Sequence, residues 1–327
     1  MAKVLVTGGL GFIGHNVVVL LEHQGHNVVI IDNETDYGII PKAELDYIIR
    51  ERKHKIKTQN IYKHDITWLS ACQIMQDHAI DYVIHLASFP RQKVVNSNPQ
   101  HGSRAMSEGL LNLLEASAKA NIKKFVYISS SMVYGNFNSD RSVGGIDENI
   151  DCRPLGQYGI MKLAGEWLVK DYQRRTNLSY TILRPSAVYG PLDVEDRVVS
   201  KFLLTAMRGG EIQVNGGNES LDFTFISDAV DGIVAATLSE NADNRTYNLT
   251  RSHARTLLEA AELAVKIAGQ GSIRVNDPDN NFPSRGQLNT SRAQNDFGFD
   301  PTVNIEQGFQ EYYEWLKNPF YGIKETV

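Results

Sequence analysis

Short apolar, β-branched runs recur along the first half of the chain, each bounded by polar or turn residues. They are KVLVT (3–7), NVVIID (27–32), YVIHLA (82–87), FVYISS (125–130) and YTILRP (180–185). Runs of this length without strict polar alternation predict strands buried on both faces. Between them, FIGHNVVVLLEHQG, SEGLLNLLEASAKA and YGIMKLAGEWLVKDY place apolar residues three and four apart, the spacing of a helix with one buried stripe. Strand and helix therefore alternate, which predicts an α/β fold: a doubly wound parallel sheet with helices on both faces. After about residue 190 the pattern changes, and turn-rich stretches such as VNGGNESLDFTF mix with helical ones without a clean linker. We expect a first domain over 1–185 and a smaller, mixed α/β lobe over 186–327, with some chain crossing back. The charged run IRERKHKIK (49–57) reads as a solvated helix face, with a phosphate-binding patch as the alternative.

Composition narrows the classes of partner. The chain has 327 residues and is 42% hydrophobic, enough for a core that needs no disulfide or metal staple. Lysine and arginine total 33 against 38 acids, a net charge of -5, and such a surface repels nucleic-acid phosphates and anionic lipid. Cys72 and Cys152 are the only thiols, so a reduced, cytoplasmic setting is expected and a structural metal site is not. The start, MAKVLVTGG, reads as a strand at once, so no secretory leader is expected, and no apolar run has the length of a membrane span.

Candidate chemistry sits at the strand ends. In TGGLGFIG (7–14), Gly8, Gly11 and Gly14 are spaced G-x-x-G-x-x-G between the first strand and the first helix. Glycine suits a sharp turn and lets the backbone approach a pyrophosphate, while the N–H groups of the following Phe12, Ile13 and Gly14 begin a helix whose positive end favours an anion. Asp32 closes the second strand, where a carboxylate accepts from ribose hydroxyls and repels a 2′-phosphate; this favours NAD over NADP. A strand-end turn residue is the plainer reading of Asp32 taken alone. Asp65, in KHDIT, is placed to meet the adenine or to cap a helix.

Tyr158 and Lys162, in QYGIMK, are four apart and share a helix face. A nearby ammonium lowers a phenol's pKa and makes tyrosinate available as a base. A serine from SSSMVYG (129–135) beside that phenol could hold a substrate oxygen and relay its proton.

The ordered set TGGLGFIG, VIID, HDIT, DYVIHLA, NLLEASAKANIKKFVYISS, VYG, YGIMKLAGE, LRPSAVYGP, LDFTFISDAVDGI and GFDPTVNIEQGF resembles the extended short-chain dehydrogenases/reductases of the NAD-dependent nucleotide-sugar epimerase/dehydratase family. The resemblance runs nearly end to end and implies a Rossmann-type domain with a substrate lobe. It implies Tyr158 as the base, Lys162 on the nicotinamide ribose, and Ser130 as the third member, with Ser131 as its neighbouring alternative. It also places Asn33, Ile66, His85, Leu86, Ala87 and Pro185 along the cofactor. Dehydratases of this family carry Asp and Glu after the catalytic hydroxyl, and C3/C5 epimerising reductases a cysteine at the second place; here stand Ser131 and Met132. Epimerisation at C4 needs none of those groups, and Met132 suits an apolar wall. A dehydrogenase or ketoreductase of the same fold is the alternative, and an NAD-binding protein without catalysis a third.

On the substrate side the resemblance implies Arg285 as a diphosphate contact, with Arg91 and Arg197 as further positive charge or as solvated surface groups. Ala187, Leu221 and Met106 stand where the family usually has asparagine, arginine and asparagine. A homodimer packed through the 103–120 and 154–174 segments is also implied, although burial within one subunit would give those helices the same pattern.

Overall fold

The computed structural model describes residues 1–137, 144–280 and 282–322. Seven parallel strands form the central sheet. Their order is Arg245–Leu249, Tyr180–Pro185, Lys124–Ile128, Tyr82–His85, Lys3–Thr7, Asn27–Asp32 and Ile61–Lys63. Successive side chains on these strands divide between two apolar clusters. Val4, Val6, Val28, Ile30, Ile84, Val126 and Ile128 belong to one; Leu5, Val29, Ile31, Val83, Phe125 and Tyr127 belong to the other. The period of two in a strand, with both faces covered, is why these runs are continuously apolar.

Helix Phe12–His23 packs against Ile226–Leu238 on one face, and Ser70–His78 against Leu110–Ala120 on the other. The helix expected over 107–120 opens with a wider π-helical stretch, Arg104–Gly109, before the regular Leu110–Ala120. That stretch brings Gly109 against Ile66, where a Cβ would come within 2.6 Å of the Ile66 side chain.

The chain order reverses beside Lys3–Thr7, with Asn27–Asp32 on one flank and Tyr82–His85 on the other. Loops leaving the strand ends there must part, which opens a crevice at the carboxyl edge of the sheet. The runs at 82–87 and 125–130 leave the sheet early, at His85 and Ile128, so Leu86, Ala87 and the serines enter the crevice as loop. The later part of the chain contributes Arg245–Leu249 to the main sheet and also folds into short strand pairs, among them Glu211–Asn215 with Ser272–Asn276. Among the described residues no helix is long and apolar enough to cross a membrane, and no group of three or more His, Cys, Asp or Glu is placed to hold a metal ion.

Candidate active site

One cavity of about 1360 Å³ follows the carboxyl edge of the sheet, and every site residue expected from the sequence lines it except His85 and Met106, which lie buried behind it. Its first wall is largely backbone. Gly8 sits at φ +71, and a Cβ there would lie 2.7 Å from the Ala87 amide nitrogen. A Cβ on Gly14 would collide with the Gly8 carbonyl oxygen, so strand and helix meet here only through glycine. Gly11 begins helix Phe12–His23 with no side-chain cap, which leaves the first-turn N–H groups of Phe12, Ile13 and Gly14 as free donors. Those donors, at the positive end of a 12-residue helix, fit a pyrophosphate.

Asp32 stands beside them. Its Oδ2 accepts from the Leu10 N–H at 2.9 Å and its Oδ1 from the Glu34 N–H at 2.8 Å. Burial pushes its pKa up, and the two backbone bonds pull it back. Asn33 donates to Asp65 Oδ2 at 2.9 Å, while Asp65 Oδ1 takes the Thr67 N–H and hydroxyl at 2.9 and 2.7 Å. Burial raises the Asp65 pKa, but the bonds from Thr67 and Asn33 outweigh it and leave the carboxyl below its ordinary value. This is a local turn, not the helix cap the sequence offered, since the next helix begins at Ser70. Ile66, Leu86, Ala87 and Pro185 complete this wall. His85 lies behind it, buried, with Nδ1 2.8 Å from the Thr7 hydroxyl, and burial pushes its pKa down to about 3, so it is neutral.

The three serines have different partners. Ser129 donates to Glu166 Oε1 at 2.6 Å, inside the protein. Ser130 accepts from the Met132 N–H at 3.2 Å, and its hydroxyl is near enough to the Tyr158 phenol to draw its pKa down. Ser131 lines the cavity beside them. Met132 packs with Phe89, Val94, Val95, Met106 and Tyr158, an apolar wall next to the phenol. Burial pushes the Tyr158 pKa up, and the Ser130 hydroxyl and the charge of Arg197 pull it down. The expectation that Lys162 acts directly on the phenol needs amending. Its Nζ donates to the Ile128 carbonyl at 2.8 Å and lies 5.9 Å from the Tyr158 ring centre. Burial pushes the Lys162 pKa down to about 7, with Glu166 one helical turn away opposing. The charge of Arg197, from the other side of the cavity, also draws the phenol's pKa down.

A buried ion pair holds the strand end in place. Arg184 meets Glu166 through two bonds, Nε to Oε1 at 2.8 Å and Nη2 to Oε2 at 2.6 Å, and its Nη1 donates to the Tyr134 hydroxyl at 2.9 Å. Tyr134 in turn donates to Asn248 at 2.6 Å, which joins the Arg245–Leu249 strand to the serine turn. Planar, two-point pairing of this kind fixes geometry as well as charge.

The second wall is made of charged side chains from loops. Arg91 pairs with Asp196 at 3.0 Å, and Arg197 with Asp193 at 3.3 Å. Neither is a solvated surface group: their side chains are 17% and 29% exposed. Arg285 has a buried Nε without a hydrogen-bond partner, and burial pushes its pKa down to about 10, with Arg197 acting in the same direction and Glu219 against it. Adjacent cations and an unused guanidinium donor fit an anion such as a diphosphate. Ala187, on this wall, is held at φ +39, where asparagine is far more at ease than alanine. The sequence reading missed Arg52, Asp193 and Tyr37, which also line the cavity. Of these Arg52 carried a signal, because it lies midway between Ile48 and Ile56 on one helical stripe. Asn136 also lines the cavity, and residues 138–143 of the loop that follows it lie outside the described residues.

Over residues 4–250 the chain matches the model of the NAD dependent epimerase/dehydratase family. It is 29% identical to an uncharacterized UDP-glucose epimerase, YtcB, of Bacillus subtilis, over 98% of this chain and 99% of that protein. A UDP-glucuronic acid 4-epimerase of Bacillus cereus, solved with UDP-glucuronic acid and NAD, has a TM-score of 0.86 at 27% identity, covering 96% of this chain and 99% of its own. A UDP-glucose 4-epimerase of Thermotoga maritima, solved with UDP-glucose, has a TM-score of 0.83 at 27% identity, covering 96% and 98%.

Proposed function

The chain belongs to the NAD-dependent epimerase/dehydratase family, and on that premise we propose that it interconverts the C4 epimers of a UDP-hexose, either UDP-glucose or UDP-glucuronate with its epimer. The observation that carries this reading is the serine turn. It presents the Ser130 hydroxyl to Tyr158 and puts buried Met132, with no acid or thiol, next to it. NAD, held by the Gly8–Gly14 loop, Asp32 and Lys162, would supply a reversible hydride acceptor for C4.

The chain's own residues do the rest. Tyr158 receives the C4 hydroxyl proton, Ser130 holds that oxygen, and Lys162 binds the nicotinamide ribose. Removal and return of that proton at one oxygen need no second acid. Arg285 and Arg197 hold the diphosphate, so the sugar can turn about a fixed anchor. The apolar wall of Phe89 and Met132, backed by Met106, gives neither face of the sugar ring a preferred hydrogen bond.

Purified enzyme incubated with UDP-glucose, and separately with UDP-glucuronate, is expected to form the C4 epimer by NMR while absorbance at 340 nm stays flat. Accumulating NADH with an oxidised sugar would establish the dehydrogenase reading instead, and no turnover of either would overturn the assignment. We further read the protein as a cytoplasmic homodimer. Leu111, Ile160 and Trp167 are exposed on the two implied interface helices, with Ile160 and Trp167 two turns apart on one face. A mass in solution of twice 36.6 kDa is expected; a monomer would contradict it.

A further inference from the structure

The basic run at 49–57 is not simply a solvated face. In helix Lys42–Lys55, Glu44, Ile48 and Arg52 are each four apart and form one buried stripe. Arg52 is 6% exposed, and its two terminal nitrogens reach two different loops. Nη1 donates to the Leu10 carbonyl at 2.9 Å, in the glycine loop; Nη2 donates to the Leu192 carbonyl at 2.7 Å, in the loop that follows Val188–Tyr189. Because the Leu10 N–H is given to Asp32, the backbone of Leu10 is held through both of its polar groups, in two successive peptide units.

The partner loop is constrained as well. Leu192 stands at φ +69, a conformation a leucine keeps only where its surroundings impose it. Next comes Asp193, 3% exposed, which pairs with Arg197. Burial pushes the Arg52 pKa down to about 10, opposed by the carboxylates of Asp193 and Asp32. Charges therefore alternate across the cavity: Asp32, Arg52, Asp193, Arg197. Glu44 adds a second tie from the same stripe, accepting the Glu195 N–H at 2.7 Å.

We propose that Arg52 is a positioning residue that ties the glycine loop to the 190–197 loop, so that one side chain sets both how tightly NAD is retained and where Arg197 meets the substrate diphosphate. The proposal rests on the reading of this cavity as an NAD and UDP-sugar site. An enzyme that returns its hydride in each turnover gains from a cofactor that does not leave. A buried two-point bond between two cavity walls opposes the parting that release requires.

Arg52→Met keeps the volume and removes both bonds. From the loss of charge-assisted hydrogen bonds, NAD release should be about tenfold faster and KM for UDP-glucose or UDP-glucuronate about tenfold higher, with kcat at saturating NAD and sugar changed by only about threefold or less. Arg52→Lys, which cannot span both carbonyls, should fall between wild type and Arg52→Met. Asp193→Asn should raise KM and leave NAD release close to wild type. A folded Arg52→Met protein, by circular dichroism, with NAD release and KM both unchanged would overturn the proposal. If Arg52→Met does not fold, Arg52→Lys decides by the same two readouts. NAD release is measured without sugar, so a wrong substrate would show as no turnover by wild type while the release difference persists.

Discussion

The two walls of the cavity are made of different material. The cofactor wall is backbone: N–H groups at the start of one helix, two glycines with no room for a Cβ, and a carboxylate at a strand end. The opposite wall is side chains: Arg91, Arg197 and Arg285, brought together from separate loops and balanced by Asp193, Asp196 and Glu219. A site made from backbone needs a local sequence with a fixed spacing, and it tolerates almost no substitution. A site made from loop charges needs only that the fold deliver them, so it can be retuned residue by residue.

This contrast can be tested by removing single groups. Tyr158→Phe, at the junction of the walls, should lower kcat by about 10²–10⁴-fold. Bound NAD should stay at the wild-type level, because the phenol is no part of the backbone cradle. Gly14→Ala should act on one wall only. The added methyl meets the Gly8 carbonyl oxygen, so the purified variant should contain little NAD and unfold at lower temperature, by about 1–3 kcal/mol in stability. Arg285→Met should do the reverse, keeping NAD while raising KM for the UDP-sugar by about tenfold or more, with a smaller change in kcat. Loss of NAD from Arg285→Met would show that the walls are not separable in this way.

The smallest effect concerns Asp222, a fully buried carboxylate under the charged wall that accepts from Thr250, Leu288 and His253. Burial pushes its pKa up to about 6, against those hydrogen bonds. Between its ordinary 3.8 and about 6 the folded chain keeps a proton that the unfolded chain has released. Its contribution to stability is thus fully present below 3.8 and lost as pH rises through about 6. His15 and His85, held neutral down to about 3 by burial, act in the opposite sense. The readout is therefore the difference in melting temperature between wild type and Asp222→Asn, which should drift in favour of the variant from pH 4 to pH 6. A constant difference would refute the assigned shift.

What was legible in the sequence follows the same division. The strands and the glycine loop are local patterns, and they stand where the spacing put them. Arg245–Leu249 was not legible as part of the main sheet, because RTYNL is short and half polar and takes its place from the burial of Tyr247 and Leu249 far along the chain. Composition and spacing alone do not tell three adjacent serines apart; the family resemblance singled out Ser130, with Ser131 as the alternative. In space, Ser129 turns to Glu166 and Ser130 to Tyr158, as side chains alternate along extended backbone. Arg52 looked solvated because its neighbours Arg50 and His54 are; only the four-residue spacing from Ile48 to Ile56 hinted at burial. That Arg197 adds its charge to the surroundings of the Tyr158 phenol was also beyond a helical spacing, since it arrives from a loop of the other wall.

The central claim is that hydride leaves and returns to one carbon without exchange of the cofactor. The direct test is UDP-glucose or UDP-glucuronate carrying deuterium at C4, incubated with enzyme and an excess of unlabelled free NAD. The account predicts that the epimer formed keeps its deuterium at C4 and that free NAD gains none. Deuterium appearing in released NADH, or an epimer that has lost it, would contradict the account.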